Sequence, residues 1–351
     1  MSVSRAVDVG FGQVKFTTAS FDEDSGCRSF PAIATTATTQ LTVASGIFTS
    51  DDIVNVQVEN KLYSVGPDAA HSIGANIVRH VDSDYSKSNE YMALLRGAMY
   101  YMKQSKIDSL VVGLPVSTYL LDGAAQSLKE LILKGGHVIP NFHNDPRRFP
   151  DAPKEVSVQV VSCEVLPQPV GTFFNHCILS GDYEEKSGEM NLIIDIGYGT
   201  YDWFVGEGNK AFHSRCGAYN GGMSRVVSAI AEKIDSSLKD EINVLRNIDK
   251  ALRTGKPVKI HGIPIDLGQY KSIIDDCIDI SIRSMLNSVG SLADIENVYV
   301  TGGGTFLWKD LLTAKLKRKK PLIIDSDPVF SNVKGFQIAA EQRAEELAAH
   351  I

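Results

Sequence analysis

Two short segments of the sequence each combine one aspartate with two glycines in the pattern Asp-x-Gly-x-Gly. The first lies in residues 7–16 (VDVGFGQVKF) and the second in residues 194–203 (IDIGYGTYDW), about half a chain length later. Both copies have aliphatic residues around the aspartate, an aromatic residue between the glycines and strand-forming residues after them. Such a match predicts an internal repeat, in which each copy is a strand, a glycine turn and a second strand.

The residue types in these two copies suit the binding of a polyphosphate together with Mg²⁺. A glycine has no Cβ, so the backbone N–H groups of a glycine turn can approach an anion closely. Asp8 and Asp195 would repel phosphate, but each suits a hydrated Mg²⁺, which keeps several waters. Lys15 can neutralise phosphate charge, whereas the second copy has Asp202 at that place. Each motif alone could be a structural hairpin turn, but two copies with matching flanks favour phosphate binding.

A third run of glycines occupies residues 301–305 (TGGGT), after a predicted strand at 298–300 and before a predicted helix. A strand, a glycine turn and a helix N-terminus together form a cradle for an anion or a nucleotide. A tight turn that lets the helix pack on the sheet explains the same residues equally well.

The elements around these motifs alternate between strands and helices. Predicted strands cover residues 3–9, 13–20, 28–34, 56–65, 109–114, 156–161, 191–196 and 298–300, and predicted helices cover 85–102, 122–134, 167–179, 222–239, 267–289, 305–318 and 332–349. The polar run 181–190 is interpreted as the connector between two halves. This alternation predicts an α/β fold with mixed sheets.

The composition is that of a globular protein and argues against several functional classes. The 351 residues are 43% hydrophobic, which is enough for a sizeable core and for two domains. The net charge of −7 argues against direct nucleic-acid binding as the main function. A basic run at 315–320 is more typical of a solvated helix end than of a DNA contact.

Neither the membrane nor the secretory pathway is expected for this chain. No stretch is long and apolar enough for a membrane span, and the first residues lack the apolar segment of a secretory signal. The five cysteines are scattered and form no C-x-x-C motif, which argues against a disulfide framework or a zinc site. We therefore expect a cytoplasmic protein whose cysteines mostly fill the core.

Taken in order, the three glycine motifs resemble the phosphate-1, phosphate-2 and adenosine loops of the actin/Hsp70/sugar-kinase ATPase superfamily. Residues 110–116 (LVVGLPV) resemble the strand and proline turn after the first large helix of that superfamily. Residues 329–335 (VFSNVKG) resemble its closing segment, with Gly335 at a helix crossing. The resemblance spans nearly the whole chain, and residues 35–85 are the least constrained.

The resemblance implies an actin-like fold of two related lobes, each a mixed β-sheet flanked by helices, with a nucleotide cleft between them. Domain I would comprise residues 1–165 with the C-terminal helix 331–351, and domain II residues 166–330. The ligands implied are ATP or GTP with Mg²⁺.

The resemblance also implies a role for each motif residue. Phosphate would bind to Gly10, Phe11, Gly12, Gln13, Lys15, Gly197, Tyr198, Gly199 and Thr200, and the nucleoside to Gly302, Gly303, Gly304 and Phe306. Asp8 and Asp195 would hold Mg²⁺ through water. Catalysis would depend on these two aspartates and on Gln168, which would aim the attacking water.

Within the superfamily, the sequence is most similar to bacterial plasmid segregation proteins of the ParM/StbA type, including the PRTRC system protein D group. The supports are the length, the opening motif, residues 166–171 (LPQPVG) and residues 332–335 (NVKG). Proteins of this type typically carry a glutamate where this chain has Gln168. An amide orients water but cannot act as a base, so the rate of hydrolysis is the property that this difference affects.

The function implied by the resemblance is that of an ATP-dependent filament. Subunits would assemble head to tail with nucleotide bound, separate after hydrolysis, and connect to plasmid DNA through a DNA-binding adaptor. Two alternatives stay open, a small-molecule kinase of the sugar type and an actin-like adaptor that does not polymerise. Likeness of fold does not decide among the three.

Overall fold

The computed structural model describes residues 2–37, 52–72, 84–142, 153–207 and 210–349. The chain divides into two compact units, which are described separately below. Unit 1 comprises Met1–Leu114, Thr118–Asn175 and Asn332–Ile351, and unit 2 comprises Pro115–Ser117 and His176–Ser331. No helix of the described residues is both long and apolar enough to cross a bilayer.

The two units contain eighteen strands and ten α-helices among the described residues. The strands are β1 (Ser4–Val9), β2 (Gln13–Phe16), β3 (Arg28–Pro31), β4 (Thr35–Thr36), β5 (Val54–Val58), β6 (Lys61–Val65), β7 (Lys106–Ile107), β8 (Ser109–Leu114), β9 (His137–Pro140), β10 (Glu155–Val160), β11 (Cys163–Pro167), β12 (Met190–Ile196), β13 (Tyr201–Glu207), β14 (Lys210–Ala211), β15 (Gly217–Tyr219), β16 (Val258–Ile260), β17 (Ile263–Ile265) and β18 (Asn297–Thr301). The helices are α1 (Asn89–Met102), α2 (Val116–Tyr119), α3 (Ala124–Leu133), α4 (Gln168–Ser180), α5 (Tyr183–Ser187), α6 (Met223–Ile234), α7 (Ile242–Thr254), α8 (Lys271–Val289), α9 (Thr305–Leu316) and α10 (Ser331–Ala349).

The main sheet of unit 1 has the order β11-β8-β1-β2-β3. Strand β1 runs parallel to β8 and antiparallel to β2, and β8 runs parallel to β11. All six residues of β1 and all six of β8 are buried, as expected for central strands that are covered on both faces. Two three-stranded sheets, β7-β10-β9 and β4-β6-β5, complete the strands of this unit.

Helix α1 covers the main sheet and shows why this part of the sequence is helical. Ser88 caps its first turn, with the Ser88 hydroxyl accepting a hydrogen bond from the Tyr91 N–H at 3.1 Å. Leu94, Leu95, Ala98, Met99 and Met102 recur at helical spacing and are all buried in the core of unit 1.

The C-terminal helix α10 joins unit 1 through buried hydrogen bonds and one close crossing. The Thr17 hydroxyl donates to Gln337 Oε1 at 2.5 Å, and Gln337 Nε2 donates to the Ser4 carbonyl at 3.0 Å. Gly335 lies where α10 crosses α4, as the resemblance predicts. The helices are so close there that a Cβ at Gly335 would lie 1.7 Å from the Gly171 carbonyl oxygen.

Unit 2 repeats the arrangement found around β1. Its main sheet has the order β14-β13-β12-β18, with β15 also paired to β13. Strand β12 runs antiparallel to β13 and parallel to β18, just as β1 runs antiparallel to β2 and parallel to β8. The internal repeat that the sequence predicts is therefore present in the strand pairing. The segment 181–190, interpreted as a connector, contains the short helix α5.

Four of the five cysteines are buried thiols, namely Cys163, Cys177, Cys216 and Cys277. Burial raises the pKa of the Cys163 and Cys177 thiols to about 12. These two side chains are therefore neutral core residues, which confirms their predicted role as small apolar fillers.

We expect His137 to make the stability of the protein sensitive to acid. The side chain is buried, its Nε2 lies 2.7 Å from the Ile132 carbonyl oxygen, and its Nδ1 has no hydrogen-bond partner among the described residues. Burial, with a smaller contribution from the charge of Arg96, lowers the pKa of His137. The folded protein therefore binds fewer protons than the unfolded chain, so stability should fall as pH drops below about 6.5.

Chemical denaturation of wild type and His137→Gln at pH 7.5 and pH 5.5 measures this effect. Glutamine can still donate to the Ile132 carbonyl but does not titrate, so the variant should lose less stability between the two pH values. Equal losses in both proteins would rule out His137 as the cause.

Candidate functional site

The first glycine turn of the sequence connects β1 to β2 and is closed by a backbone hydrogen bond. The Gly10 N–H donates to the Gln13 carbonyl at 3.1 Å. Asp8 lies just before the turn at the end of β1, and in the antiparallel register it is opposite Lys15. Lys15 Nζ lies 3.0 Å from Asp8 Oδ2, so the lysine of the motif neutralises the aspartate of the same motif.

Gln168 joins Asp8 because of the order of the parallel strands. Strands β1, β8 and β11 are neighbours that run in the same direction, so their carboxyl ends lie at one edge of the sheet. Asp8 is near the carboxyl end of β1, and Gln168 directly follows β11 as the first residue of α4. Gln168 Nε2 donates to Asp8 Oδ1 at 2.6 Å, and both side chains are buried. Such an edge is where α/β proteins commonly place their ligands.

The second glycine turn, between β12 and β13, has the same closing bond as the first. The Gly197 N–H donates to the Thr200 carbonyl at 2.9 Å, which matches the bond from Gly10 to Gln13. Asp195 is the second-last residue of β12, as Asp8 is of β1, and both are buried. The two copies therefore share strand pairing, turn geometry and the position of the aspartate.

The start of helix α6 holds the second turn from one side. The N–H groups of Gly222, Met223 and Ser224 donate to the carbonyls of Gly199, Gly197 and Tyr198 at 3.3, 3.1 and 2.7 Å. Since C=O and N–H point in opposite directions across a planar trans peptide, the following N–H groups face away from α6. The arrangement aims backbone donors of this turn at one side, where an anion can bind.

The third glycine run allows helix α9 to pack closely on strand β12. Gly302 has a φ of +88°, and a Cβ there would lie 2.3 Å from Asp195 Oδ1. A Cβ at Gly304 would lie 2.3 Å from Ile196 Cγ2. These two glycines therefore allow α9 to begin directly against the end of β12. Gly303 has more room, since the atom nearest to its Cβ position is on Arg253, 3.5 Å away.

Arg253 is a residue of this site that sequence reasoning missed. Its guanidinium pairs with Asp249 one helical turn earlier and donates to the Gly303 carbonyl at 2.5 Å. The same guanidinium lies 5.2 Å from the centroid of the Phe306 ring, a cation–π contact. The signal available in the sequence was the Asp-x-x-x-Arg spacing, which places the two side chains on one helix face.

Phe306 borders a groove of about 580 Å³ between helices α7, α8 and α9. The ring is 44% exposed, which is high for a phenylalanine. Leu252, Leu267, Ile274 and Leu311 provide much of the apolar lining. The volume falls within the range of small-molecule sites, which are mostly apolar with a few polar groups.

Much of the basic run at 315–320 has partners within unit 2. Lys315 pairs with Asp279, and Lys320 donates to the Asn297 side chain at 3.1 Å. Arg318 donates to the Ile295 and Glu296 carbonyls at 2.7 and 2.9 Å. These contacts agree with the interpretation of the run as a helix end.

Two family models match the chain, one in each half. Residues 6–171 match the N-terminal domain of actin-like proteins, and residues 193–314 match the C-terminal domain of archaeal MreB-like actin homologues. The chain belongs to the actin-like family. The first model ends just after Gln168, and the second contains both the second glycine turn and the Gly302–Gly304 run.

Solved structures of other actin-like proteins share the fold over the whole length of the chain. An archaeal actin homologue, Ta0583, solved in complex with ADP, is 18% identical with a TM-score of 0.73, covering 97% of this chain and 100% of that one. The apo pSK41 ParM protein is 17% identical with a TM-score of 0.70, covering 99% and 100%. A 15-stranded ParM filament from Clostridium botulinum is 18% identical with a TM-score of 0.71, covering 97% and 100%. No curated protein sequence matches the chain.

Proposed function

We propose that this actin-like protein binds and hydrolyses a nucleoside triphosphate, ATP or GTP, and polymerises head to tail while the triphosphate is bound. The observation that carries the proposal is the repeated site. Two buried aspartates, Asp8 and Asp195, each lie one residue before the end of a strand that leads into a glycine turn, and both turns are closed by the same backbone bond. In loops of this kind, backbone N–H groups and correctly positioned charges are sufficient to bind phosphate.

In this proposal, the phosphates bind to backbone N–H groups of both turns. The first turn contributes Gly10, Phe11, Gly12 and Gln13, and the second contributes Gly197, Tyr198, Gly199 and Thr200. Lys15 would add a positive charge beside the phosphates, and its partner Asp8 would hold Mg²⁺ through water. A single carboxylate at each strand end fits Mg²⁺ held through water, since the ion usually keeps several waters and binds phosphate oxygens.

Gln168 then orients the attacking water. Because Gln168 Nε2 donates to Asp8, its Oε1 is the atom left to accept a hydrogen bond from water. An amide oxygen accepts that bond without taking a proton, so positioning and charge account for most of the rate. This arrangement fits a slow hydrolysis that acts as a timer for disassembly.

The nucleoside is proposed to bind beside Gly302, Gly303, Gly304 and Phe306. Phe306 borders the groove, and the Arg253 guanidinium lies over the Phe306 ring. A flat apolar ring and a flat charged guanidinium both stack on a base. The ADP complex of Ta0583 supports a nucleotide ligand for this fold.

Plasmid segregation in the cytoplasm is the cellular role that we propose for the filament. The support is the likeness of fold to ParM proteins, one of them solved as a filament. An adaptor that binds plasmid DNA would then connect the filament to its cargo.

Nucleotide binding and ADP release separate the proposal from its alternatives. We expect the protein to bind Mg-ATP or Mg-GTP and to form ADP or GDP slowly. A panel of sugars should leave the rate of diphosphate formation unchanged. Faster diphosphate formation in the presence of a sugar would favour a kinase. Nucleotide binding with neither hydrolysis nor assembly would favour an adaptor. Failure to bind either triphosphate would contradict the proposal.

A further inference from the structure

We propose that Phe11, Tyr85 and Tyr91 form an aromatic stack that holds the first phosphate turn in its binding conformation. Phe11 and Tyr85 are then positioning residues for the nucleotide. The inference rests on the proposed function, because a phosphate must bind at this turn for the stack to affect it. The role differs from that of the motif itself, which uses only the backbone of Phe11.

The three rings lie in series from the turn to the core of unit 1. Phe11 is the middle residue of the Gly10–Gly12 turn, and its ring centroid lies 5.1 Å from that of Tyr85. The Tyr85 ring meets the Tyr91 ring edge-on, with centroids 5.5 Å apart and an angle of 87° between the planes. Aromatic rings at these separations attract each other beyond the effect of burial alone.

The far end of the stack is fixed by helix α1. Tyr91 lies in the first turn of α1 and is only 1% exposed. The Ser88 hydroxyl, which caps the helix at the Tyr91 N–H, also donates to the Tyr85 carbonyl at 2.7 Å. Tyr85 is therefore held to α1 by its backbone and by its ring, so Phe11 packs against a fixed partner.

Restraint of this turn should improve phosphate binding. Gly10 and Gly12 give the turn a large conformational freedom, and a ligand that fixes a free turn loses part of its binding energy to that ordering. A turn that is held beforehand avoids the loss. In the second copy the N–H groups of α6 hold the turn carbonyls. In the first turn the Ala32 N–H donates to the Gly12 carbonyl at 3.0 Å, and the stack of Phe11 on Tyr85 supports the residue between the two glycines.

The test is a set of ring-removing and ring-keeping variants in the full chain. Phe11→Leu and Tyr85→Leu each remove one ring, whereas Tyr85→Phe and Tyr91→Phe keep all three. Each leucine variant should bind ATPγS about 2- to 10-fold more weakly, the range that loss of one aromatic pair gives. Both phenylalanine variants should bind more tightly than the leucine variants, because they keep all three rings. Tyr91→Phe should bind like wild type, since the Tyr91 hydroxyl has no hydrogen-bond partner among the described residues.

Two further readouts distinguish positioning from a general loss of structure. The double variant Phe11→Leu/Tyr85→Leu should bind no more weakly than either single variant, because all three lose the same contact. Hydrogen exchange without nucleotide should become faster in residues 8–16, with no change in α1. If Tyr85→Leu does not fold, Phe11→Leu carries the test, since Phe11 is only half-buried.

The possible failures of the two proposals are distinct. Wild type that does not bind ATPγS would contradict the proposed function and remove the basis of this inference. Wild type that binds, with leucine variants that bind equally well, would overturn the positioning role alone. Additive losses in the double variant, or faster exchange in α1 as well, would also overturn it.

Discussion

Gly335→Ala is expected to destabilise the protein by about 3 kcal/mol or more, the upper range for overpacking of a closed interior. The added Cβ would lie 1.7 Å from the Gly171 carbonyl oxygen, well inside contact distance. The clash is between a Cβ whose position is fixed by the α10 backbone and a backbone oxygen of α4, so no side-chain rotation can relieve it. The two helices would have to move apart, which would also disturb the buried bond from the Thr172 hydroxyl to Asn332 Oδ1 at 2.7 Å.

Chemical denaturation measures this loss, and Gly188→Ala is the matched control. A Cβ at Gly188 meets its nearest atom, the Glu185 carbonyl oxygen, at an ordinary 3.6 Å. The control should therefore unfold close to the wild-type midpoint. If Gly335→Ala also unfolded close to the wild-type midpoint, the close crossing of α4 and α10 would be contradicted.

Asp195→Asn is expected to slow nucleotide hydrolysis by about 10- to 100-fold, the range for losing a residue that holds a metal through its outer shell. The substitution keeps the shape of the side chain, so the close approach of Asp195 to Gly302 is preserved. It removes the negative charge that the proposal assigns to Mg²⁺. Phosphate release in single-turnover conditions measures the effect, and filaments of the variant should outlast those of wild type.

Asp240→Asn is the control for this substitution, since Asp240 is an exposed carboxylate of the same unit. It removes an equal charge away from the turn and should hydrolyse nucleotide at the wild-type rate. Equal rates in Asp195→Asn and wild type would remove Asp195 from the proposed mechanism, whereas equal losses in both variants would point to net charge.

Much of the fold could be predicted from the sequence because its central strands contain short runs of apolar residues. The strand predicted at 109–114 is β8, and the one predicted at 191–196 is β12 within one residue. The repeat predicted from two ten-residue motifs appears as the same strand pairing in both units. The actin-like family, expected from the order of three glycine motifs, is confirmed by the family models.

Helix α7 and the hairpin β16–β17 were not predicted, for different reasons. Helix α7 was missed although its apolar residues Ile242, Leu245, Ile248 and Leu252 recur at helical spacing, whereas the hairpin β16–β17 is short and largely exposed and gives little pattern. Since α7 was not expected, Arg253 could not be assigned to the site. The contact of Gln168 with Asp8 depends on the neighbouring order of β11, β8 and β1, which is a property of the sheet and not of local sequence.

The central claim, that a nucleoside triphosphate drives assembly, is tested most directly by 90° light scattering followed by negative-stain electron microscopy. Samples of wild-type protein containing Mg-ATP, Mg-GTP, either of the corresponding diphosphates, or no nucleotide would be compared. We predict that scattering rises with a triphosphate, that filaments are visible, and that the signal decays as phosphate is released. Clear nucleotide binding with no scattering at tens of micromolar protein would contradict the filament, and assembly that is the same without nucleotide would contradict the nucleotide switch.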